Sequence, residues 1–144
     1  MTHSSYRVLL GFDFGMKRIG VAVGQTVTES ARPLTTLKAN QGNPEWNAVT
    51  KLIKTWQPDA LVVGVPLNMD GTEQPLTQAA RFFARQLEER FKLPVHEMDE
   101  RLSSKDARER LFAAGGYKAL QDGQVDRVAA QLILQNWLAI INKE

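Results

Sequence analysis

Two apolar runs stand close together near the start of the chain, in the stretch RVLLGFDFGMKRIGVAV. Between residues 8 and 14, apolar side chains occupy both odd- and even-numbered positions, which face opposite sides of a strand. This pattern predicts a central strand covered on both faces. Residues 19–24 form the second run, and only the turn from Gly15 to Arg18 separates the two. Gly15 can adopt a positive φ at little cost, and a gap this short favours an antiparallel connection. The chain is therefore predicted to begin with a β-hairpin.

The later apolar runs have the lengths of single strands and helices. Residues 31–38 predict a third strand that continues the antiparallel meander. A helix is predicted to open at GNPEW, with Asn43 as N-cap and Pro44 at its first helical position, and to end at Pro58. A buried strand, a second helix, a fifth strand, a third helix and a last helix follow. Their predicted ranges are 60–66, 76–91, 94–98, SSKD to AAGGY (103–117), and about 125–141.

This order of elements predicts an α/β fold. An antiparallel meander followed by βα crossovers gives a five-stranded mixed sheet, with the first three strands antiparallel and helices packed on it. The chain has 144 residues, of which 43% are hydrophobic and 24% charged. These values, without an internal repeat or a linker, predict one domain over residues 1–144.

Composition also limits the setting in which the protein works. The chain has no cysteine, which excludes disulfides and thiolate metal sites and is consistent with a reducing cytoplasm. No apolar run is long enough to cross a bilayer, so we expect a cytoplasmic protein without a membrane partner. A formal net charge of +2 permits a polyanionic partner without requiring one.

Acidic residues occur at three places where the apolar pattern predicts burial. Asp13 lies inside the first apolar run, although an unpaired buried carboxylate costs several kcal/mol. On its own, an aspartate that caps a turn at the end of a strand is the commoner interpretation. The tract MDERL places a second carboxylate, Asp99 or Glu100, at the end of the fifth strand, and Val95 and Met98 do not alternate clearly enough to choose between them.

Asp126 is the third of these residues. At about 100° per residue it falls inside the apolar arc of the last helix. An aspartate in the first turn interacts favourably with the helix dipole, but this does not explain an inward position. The predicted apolar face consists of Val125, Ala129, Leu132, Ile133, Trp137 and Ile140.

Clustered inward carboxylates repel one another unless a cation lies between them. The only histidines are His3 and His96, and we interpret His96 as a packed strand residue. Without cysteine ligands, an oxygen-ligated hard ion, Mg²⁺ or Mn²⁺, is favoured over zinc. A carboxylate cluster that holds two such ions is typical of a phosphoryl-transfer site.

Four motifs, GFDFGMKRIGVAVG, VVGVPLNMDGTEQPLT, DERLSS and VDRVAAQLIL, resemble the motif series of the YqgF/RuvX family. Its members are described as Holliday junction resolvase-like proteins or as pre-16S ribosomal RNA nucleases. The resemblance spans almost the whole chain and implies an RNase H-like fold with metal-dependent cleavage of nucleic acid. It implies Asp13, Glu100 and Asp126 as catalytic residues and metal ligands, and so selects Glu100 over Asp99. The turn after Asp126 reads RVAA, which lacks the additional acid of the more distant RuvC-type resolvases.

Basic and polar residues near these acids are candidates for substrate binding. Lys17 and Arg18, in the hairpin turn, are interpreted either as phosphate ligands or as solvated turn residues. Arg101 is expected to bind phosphate or to orient the preceding glutamate through a charge-assisted hydrogen bond. The loop NMDGTEQ, which begins at Asn68, is interpreted as contacting the substrate, with a plain surface loop as the alternative. Within it, Asp70 is interpreted as a turn residue.

The expected function is that of a metal-dependent nuclease that processes precursor 16S rRNA during ribosome biogenesis. One alternative is a Holliday junction resolvase-like DNA nuclease, and another is a weakly catalytic nucleic-acid-binding ribosome assembly factor. An ATP-binding fold of the actin and sugar-kinase kind needs two such domains, for which 144 residues are too few. The expected partner is structured RNA, with branched DNA as the alternative, and the sequence leaves a homodimer open.

Overall fold

The structure is a computed structural model that describes residues 6–68, 70–99 and 124–141. The predicted helix from SSKD to AAGGY lies outside the described residues. The described strands are β1 (Val8–Asp13), β2 (Arg18–Gln25), β3 (Ser30–Asn40), β4 (Asn43–Pro44), β5 (Ala60–Val65) and β6 (Val95–Asp99). The described helices are α1 (Trp46–Trp56), α2 (Pro75–Phe91) and α3 (Gln124–Ile141).

The strands form one mixed sheet in the order β4-β3-β2-β1-β5-β6. Neighbours from β1 to β4 pair antiparallel, whereas β5 is parallel to both β1 and β6. The predicted mixed sheet, with its first three strands antiparallel, is therefore confirmed. The carboxyl ends of β1, β5 and β6 lie at the same edge of the sheet, because these three strands run in the same direction.

The sheet has six strands rather than the predicted five, because Asn43 and Pro44 form the short edge strand β4. Gln41 and Gly42 both adopt positive φ, 51° and 86°, the conformation of a tight hairpin turn. This turn leads the chain back along β3, so the prediction of Asn43 as N-cap and Pro44 as first helical residue is wrong. The helix α1 begins at Trp46, after Glu45 as its N-cap.

Helices cover both faces of the sheet. Residues of β1 alternate between the two cores, with Leu10 and Phe12 facing α1 and α2 and Leu9 facing α3. The first core also contains Ile19, Val21, Val49, Leu61, Val63, Phe83 and Leu87. The second contains Ala22, Ala60, Val62, Ile133, Leu134, Trp137 and Leu138. The prediction of a central strand buried on both faces is confirmed.

The buried face of α3 differs in part from the predicted one. Ala129, Leu132, Ile133 and Trp137 are buried as predicted, but Val125 is half-buried and Ile140 is 48% exposed. The prediction also omitted Leu134 and Leu138, which are fully buried. The reason lies in the sheet: a Cβ at Gly11 or Gly24 would lie 2.9 Å from Leu134 side-chain atoms, so these glycines leave room for that leucine. Among the described helices, none has the length and apolarity that a membrane span requires.

Candidate active site

Asp13 lies at the carboxyl end of the central strand and is only 8% exposed. Side chains alternate along a strand, so Asp13 shares a face with Gly11 and Leu9. Leu9 packs in the core under α3, and the missing side chain of Gly11 faces Leu134. Asp13 therefore projects toward the α3 side of the sheet, at the edge where β5 and β6 also end.

Gly20 brings Asp126 to the same place. It is the cross-strand partner of Asp13 in the antiparallel pairing of β1 and β2. A Cβ on Gly20 would lie 1.9 Å from the backbone carbonyl oxygen of Asp126 and 2.9 Å from the amide nitrogen of Arg127. The first turn of α3 thus rests directly on β2 at a position that admits no side chain. Because paired residues of antiparallel strands project to the same face, Asp13 and Asp126 are neighbours there.

Arg18 supplies the positive charge at this edge. It lies two residues before Gly20 on β2, and its Nε atom is 3.2 Å from Oδ2 of Asp126. The Asp126 side chain is 25% exposed, whereas that of Arg18 is 62% exposed. The aspartate is therefore largely removed from solvent and has a cation as its counter-charge, while the arginine remains accessible to a ligand.

The turn that carries Lys17 and leads into β2 at Arg18 is fixed through its backbone. The carbonyl oxygen of Lys17 accepts a hydrogen bond from the amide of Ala39 at 2.8 Å, and that of Met16 accepts one from Gly42 at 2.9 Å. These bonds fasten the β1–β2 turn to the β3–β4 hairpin. The exposed Lys17 side chain therefore extends from a rigid support.

The loop that contains Asn68 follows β5 at the same edge of the sheet. The side-chain nitrogen of Asn68 donates to Oγ1 of Thr72 at 3.0 Å, and the two residues are also joined through their backbones. The carboxylate of Asp70 accepts from the amide and the hydroxyl of Thr72. Asp70 is thus a turn residue, as predicted. The Asn68 amide takes part in holding the loop closed.

Arg81 links this loop to β6. Its guanidinium lies 3.0 Å from a carboxylate oxygen of Glu73 in the loop and 3.2 Å from one of Glu97 in β6. Hydrogen bonds to Glu73 and, to a smaller extent, to Glu97 raise the pKa of Arg81, which favours its charged form. Since Arg81 belongs to α2, Glu97 projects toward the α2 face. Asp99, two residues later, projects to that face as well, away from the side occupied by Asp13.

The remaining predicted site residues, Glu100 and Arg101, lie outside the described residues. Within the described ranges, no three His, Asp or Glu side chains are grouped closely enough to hold a metal ion. Asp13 and Asp126 account for two of the three predicted ligands, and their hard oxygen donors suit Mg²⁺ or Mn²⁺. The remaining predicted ligand is Glu100. His96 packs against Tyr6 and Trp137, as expected of a strand residue.

Sequence reasoning missed Gly20, although a signal was present. An isolated glycine inside an apolar strand often marks a close approach of another backbone. RIGVAVGQ contains two such glycines. Their partners, however, lie more than 100 residues later in the sequence, so the pattern within the strand could not identify them.

The sequence of the chain matches a known family of proteins. The model of the family described as "RuvX: Holliday junction resolvase" matches residues 7–140. A protein of Aeromonas salmonicida is 58% identical over 134 residues, which cover 93% of this chain and 96% of the relative. One of Shewanella denitrificans is 57% identical over 131 residues, covering 91% and 93%. Both bear a provisional name, pre-16S rRNA nuclease.

Solved structures share the fold at low sequence identity. Thermus thermophilus RuvC in complex with a Holliday junction superposes with a TM-score of 0.55 at 17% identity, covering 93% of this chain and 94% of that one. The fowlpox virus resolvase in complex with Holliday junction DNA gives 0.52 at 14% identity, covering 94% and 97%. The predicted RNase H-like fold is thereby confirmed. With a family model matched over residues 7–140 and relatives more than half identical over nine-tenths of its length, the chain belongs to the RuvX family.

Proposed function

We propose that this protein is a metal-dependent nuclease that hydrolyses phosphodiester bonds in precursor 16S rRNA. The observation that carries the proposal is the meeting of Asp13 and Asp126 at Gly20, at the carboxyl end of the central strand. A turn-capping Asp13 and a dipole-favoured Asp126 would each be reasonable alone. Neither role would require a glycine at position 20, which lets the two carboxylates become neighbours.

In this proposal Asp13, Glu100 and Asp126 are the catalytic residues and hold the metal. A pair of Mg²⁺ or Mn²⁺ ions held by these carboxylates would activate the attacking water and stabilise the leaving oxygen. The protein supplies rigid support, because Asp13 is fixed in a central strand and Asp126 in the first turn of a packed helix. Asp99 projects toward α2, away from Asp13, which argues against Asp99 as the third carboxylate and so supports the choice of Glu100.

We assign substrate binding to Lys17, Arg18, Asn68 and Arg101. Lys17 and Arg18 are exposed cations, one on a turn that two backbone hydrogen bonds hold in place and the other at the start of β2. Asn68 maintains the shape of a loop that lies at the same edge of the sheet. Arg101 is proposed to contact the scissile phosphate, a role for which guanidinium geometry is well suited.

RNA is favoured over branched DNA as the substrate. The relatives with the provisional name pre-16S rRNA nuclease are 56–58% identical to this chain. The junction resolvases are 12–17% identical and share the fold alone. Because precursor rRNA is processed during ribosome assembly, we further propose that the protein acts in the cytoplasm. We also propose that residues 1–144 form a single domain.

Cleavage of a substrate panel tests the proposal. The purified protein is incubated with a precursor 16S rRNA fragment, an unstructured single-stranded RNA and a four-way DNA junction, each with Mg²⁺, Mn²⁺ or EDTA. We expect cleavage of the precursor fragment with either metal and none with EDTA. Cleavage of the junction alone would establish the resolvase alternative. Binding of RNA without cleavage under any condition would contradict a nuclease and favour an assembly factor.

A further inference from the structure

Arg18 and Lys38 form a like-charge pair across two neighbouring strands. They are direct partners in the antiparallel register of β2 and β3, and both side chains are exposed. Like charges directly opposite each other on a sheet repel and destabilise it. The sheet therefore retains two cations at a position where an opposite-charge pair would be more favourable.

The pair lies on the same face as the candidate active site. Two residues along from Arg18, Gly20 pairs with Thr36 and faces the first turn of α3. Alternation therefore places Arg18 on the α3 side, and its contact with Asp126 agrees with this. Lys38, as the direct partner of Arg18, projects to that side as well.

Arg18 and Lys38 differ in whether an acidic side chain balances their charge. Arg18 has Asp126 as a counter-ion, whereas Lys38 forms no ion pair with any residue in the described ranges. The position of Lys38 is nevertheless well defined, because the amide of the next residue, Ala39, donates to the carbonyl oxygen of Lys17 at 2.8 Å. Neighbouring strands are about 4.8 Å apart, so β3 lies about 10 Å from the strand of Asp13.

We propose that Lys38, together with Arg18, binds a backbone phosphate next to the scissile one. The substrate strand would then cross the sheet from Asp13 over β2 to β3. A phosphate placed between the two cations removes their repulsion, so that a pair unfavourable in the free protein becomes favourable in the complex. This inference rests on the proposed function and extends it by giving the substrate a path on the protein surface.

Binding measurements with a matched control test the inference. Lys38→Ala is compared with Lys51→Ala, which also removes an exposed lysine, from α1 on the opposite side of the sheet. Fluorescence anisotropy gives the Kd for a single-stranded RNA and for a four-way DNA junction, in EDTA, over a series of salt concentrations. Loss of one phosphate contact should reduce the salt slope by about 0.7–0.9, which is about a five- to eightfold loss of affinity at about 0.1 M salt.

Stability separates a binding role from a structural one. Lys38→Glu places an acid opposite Arg18, so it should raise the melting temperature of the free protein while weakening nucleic-acid binding further than Lys38→Ala. Lys38→Arg should keep the affinity of the wild type. A merely structural lysine would change stability and binding in the same direction.

The outcomes distinguish this inference from the proposed function. If the wild type binds both nucleic acids and the two lysine variants match it in affinity and salt slope, Lys38 does not bind a phosphate. That result would overturn this inference and leave the proposed function standing. A wild type that binds neither nucleic acid at low salt would overturn the proposed function as well. Weaker binding by Lys38→Ala for RNA and not for the junction supports the path for RNA only.

Discussion

Arg18 connects the acidic and the basic sides of the candidate site. Its contact with Asp126 provides a counter-charge for a carboxylate that we propose as a metal ligand. A divalent cation at the same carboxylate must compete with this ion pair. Arg18 would then be free to bind a phosphate of the substrate, as proposed above, so metal binding and substrate binding should favour each other.

Arg18→Ala should therefore tighten Mn²⁺ binding in the absence of nucleic acid. An exposed ion pair contributes at most about 1 kcal/mol, so the gain should be no more than about fivefold in Kd. Isothermal titration calorimetry measures the change. Lys17→Ala is the control, because it removes a neighbouring exposed cation and thus corrects for the general effect of charge. Weaker Mn²⁺ binding by Arg18→Ala than by the control would contradict competition at Asp126.

The positions of single residues were only partly predictable. Asp13 could be singled out because it interrupts an apolar run, and the structure buries it on the α3 side. The choice between Asp99 and Glu100 could not be made from alternation, because β6 is a half-exposed strand without a clear apolar period. The contact between Arg81 and Glu97 shows which side chains of β6 point toward α2, and this contact depends on tertiary packing.

At the scale of elements, the glycines of β2 determine how closely α3 approaches the sheet. Gly20→Ala should destabilise the protein by about 2 kcal/mol or more, since its Cβ would meet backbone atoms of Asp126 that cannot rotate away. Gly24→Ala, on the same strand and face, meets the ends of two leucine side chains that can rotate, so it should cost less, about 1 kcal/mol. Urea unfolding measures both values.

The same substitution should affect activity beyond its effect on stability. Gly20→Ala shifts the first turn of α3 and with it Asp126, whereas Gly24→Ala acts further along the helix. Cleavage measured well below the melting temperature of each variant should therefore fall strongly for Gly20→Ala and little for Gly24→Ala. Equal stability and activity of the two variants would show that the close approach at Gly20 does not position the site.

Most elements could be predicted from the sequence, because buried strands and amphipathic helices have distinct periods. The exception at Asn43–Pro44 has a local cause. Asn followed by Pro is a common start of a helix, but the positive φ of Gln41 forms a hairpin turn first. Glutamine is not a residue that signals such a turn, so the sixth strand could not be foreseen.

At the scale of the whole molecule, the two helical layers share one sheet. β1 contributes Leu10 to one core and Leu9 to the other, so neither layer can unfold without exposing the central strand. A single cooperative transition is therefore expected, in agreement with the proposal of one domain. Bound metal should shift this transition as a whole.

Mn²⁺ at ten times its Kd should stabilise the wild type by about 1.4 kcal/mol. In a domain of this size the melting temperature should rise by roughly 3–6 °C. Asp126→Asn removes repulsion from Asp13 but also loses the pair with Arg18, so its melting temperature in EDTA should stay near that of the wild type. Its response to Mn²⁺ should be clearly smaller. A wild type that melts at the same temperature in EDTA and in Mn²⁺ would contradict a metal site between these carboxylates.

Asp13 and Asp126 are proposed to form one catalytic cluster on the α3 face of the sheet. Single-turnover cleavage rates of Asp13→Asn, Asp126→Asn and the matched control Asp99→Asn test it most directly, on the substrate that the wild type cleaves. We predict that each of the first two lowers the rate by about a thousandfold or more, and that the double variant is little worse than either. Asp99→Asn, on the opposite face, should cleave within a few-fold of the wild type. A loss in Asp99→Asn as large as that in Asp13→Asn, or full activity of Asp126→Asn, would contradict a catalytic cluster of Asp13 and Asp126.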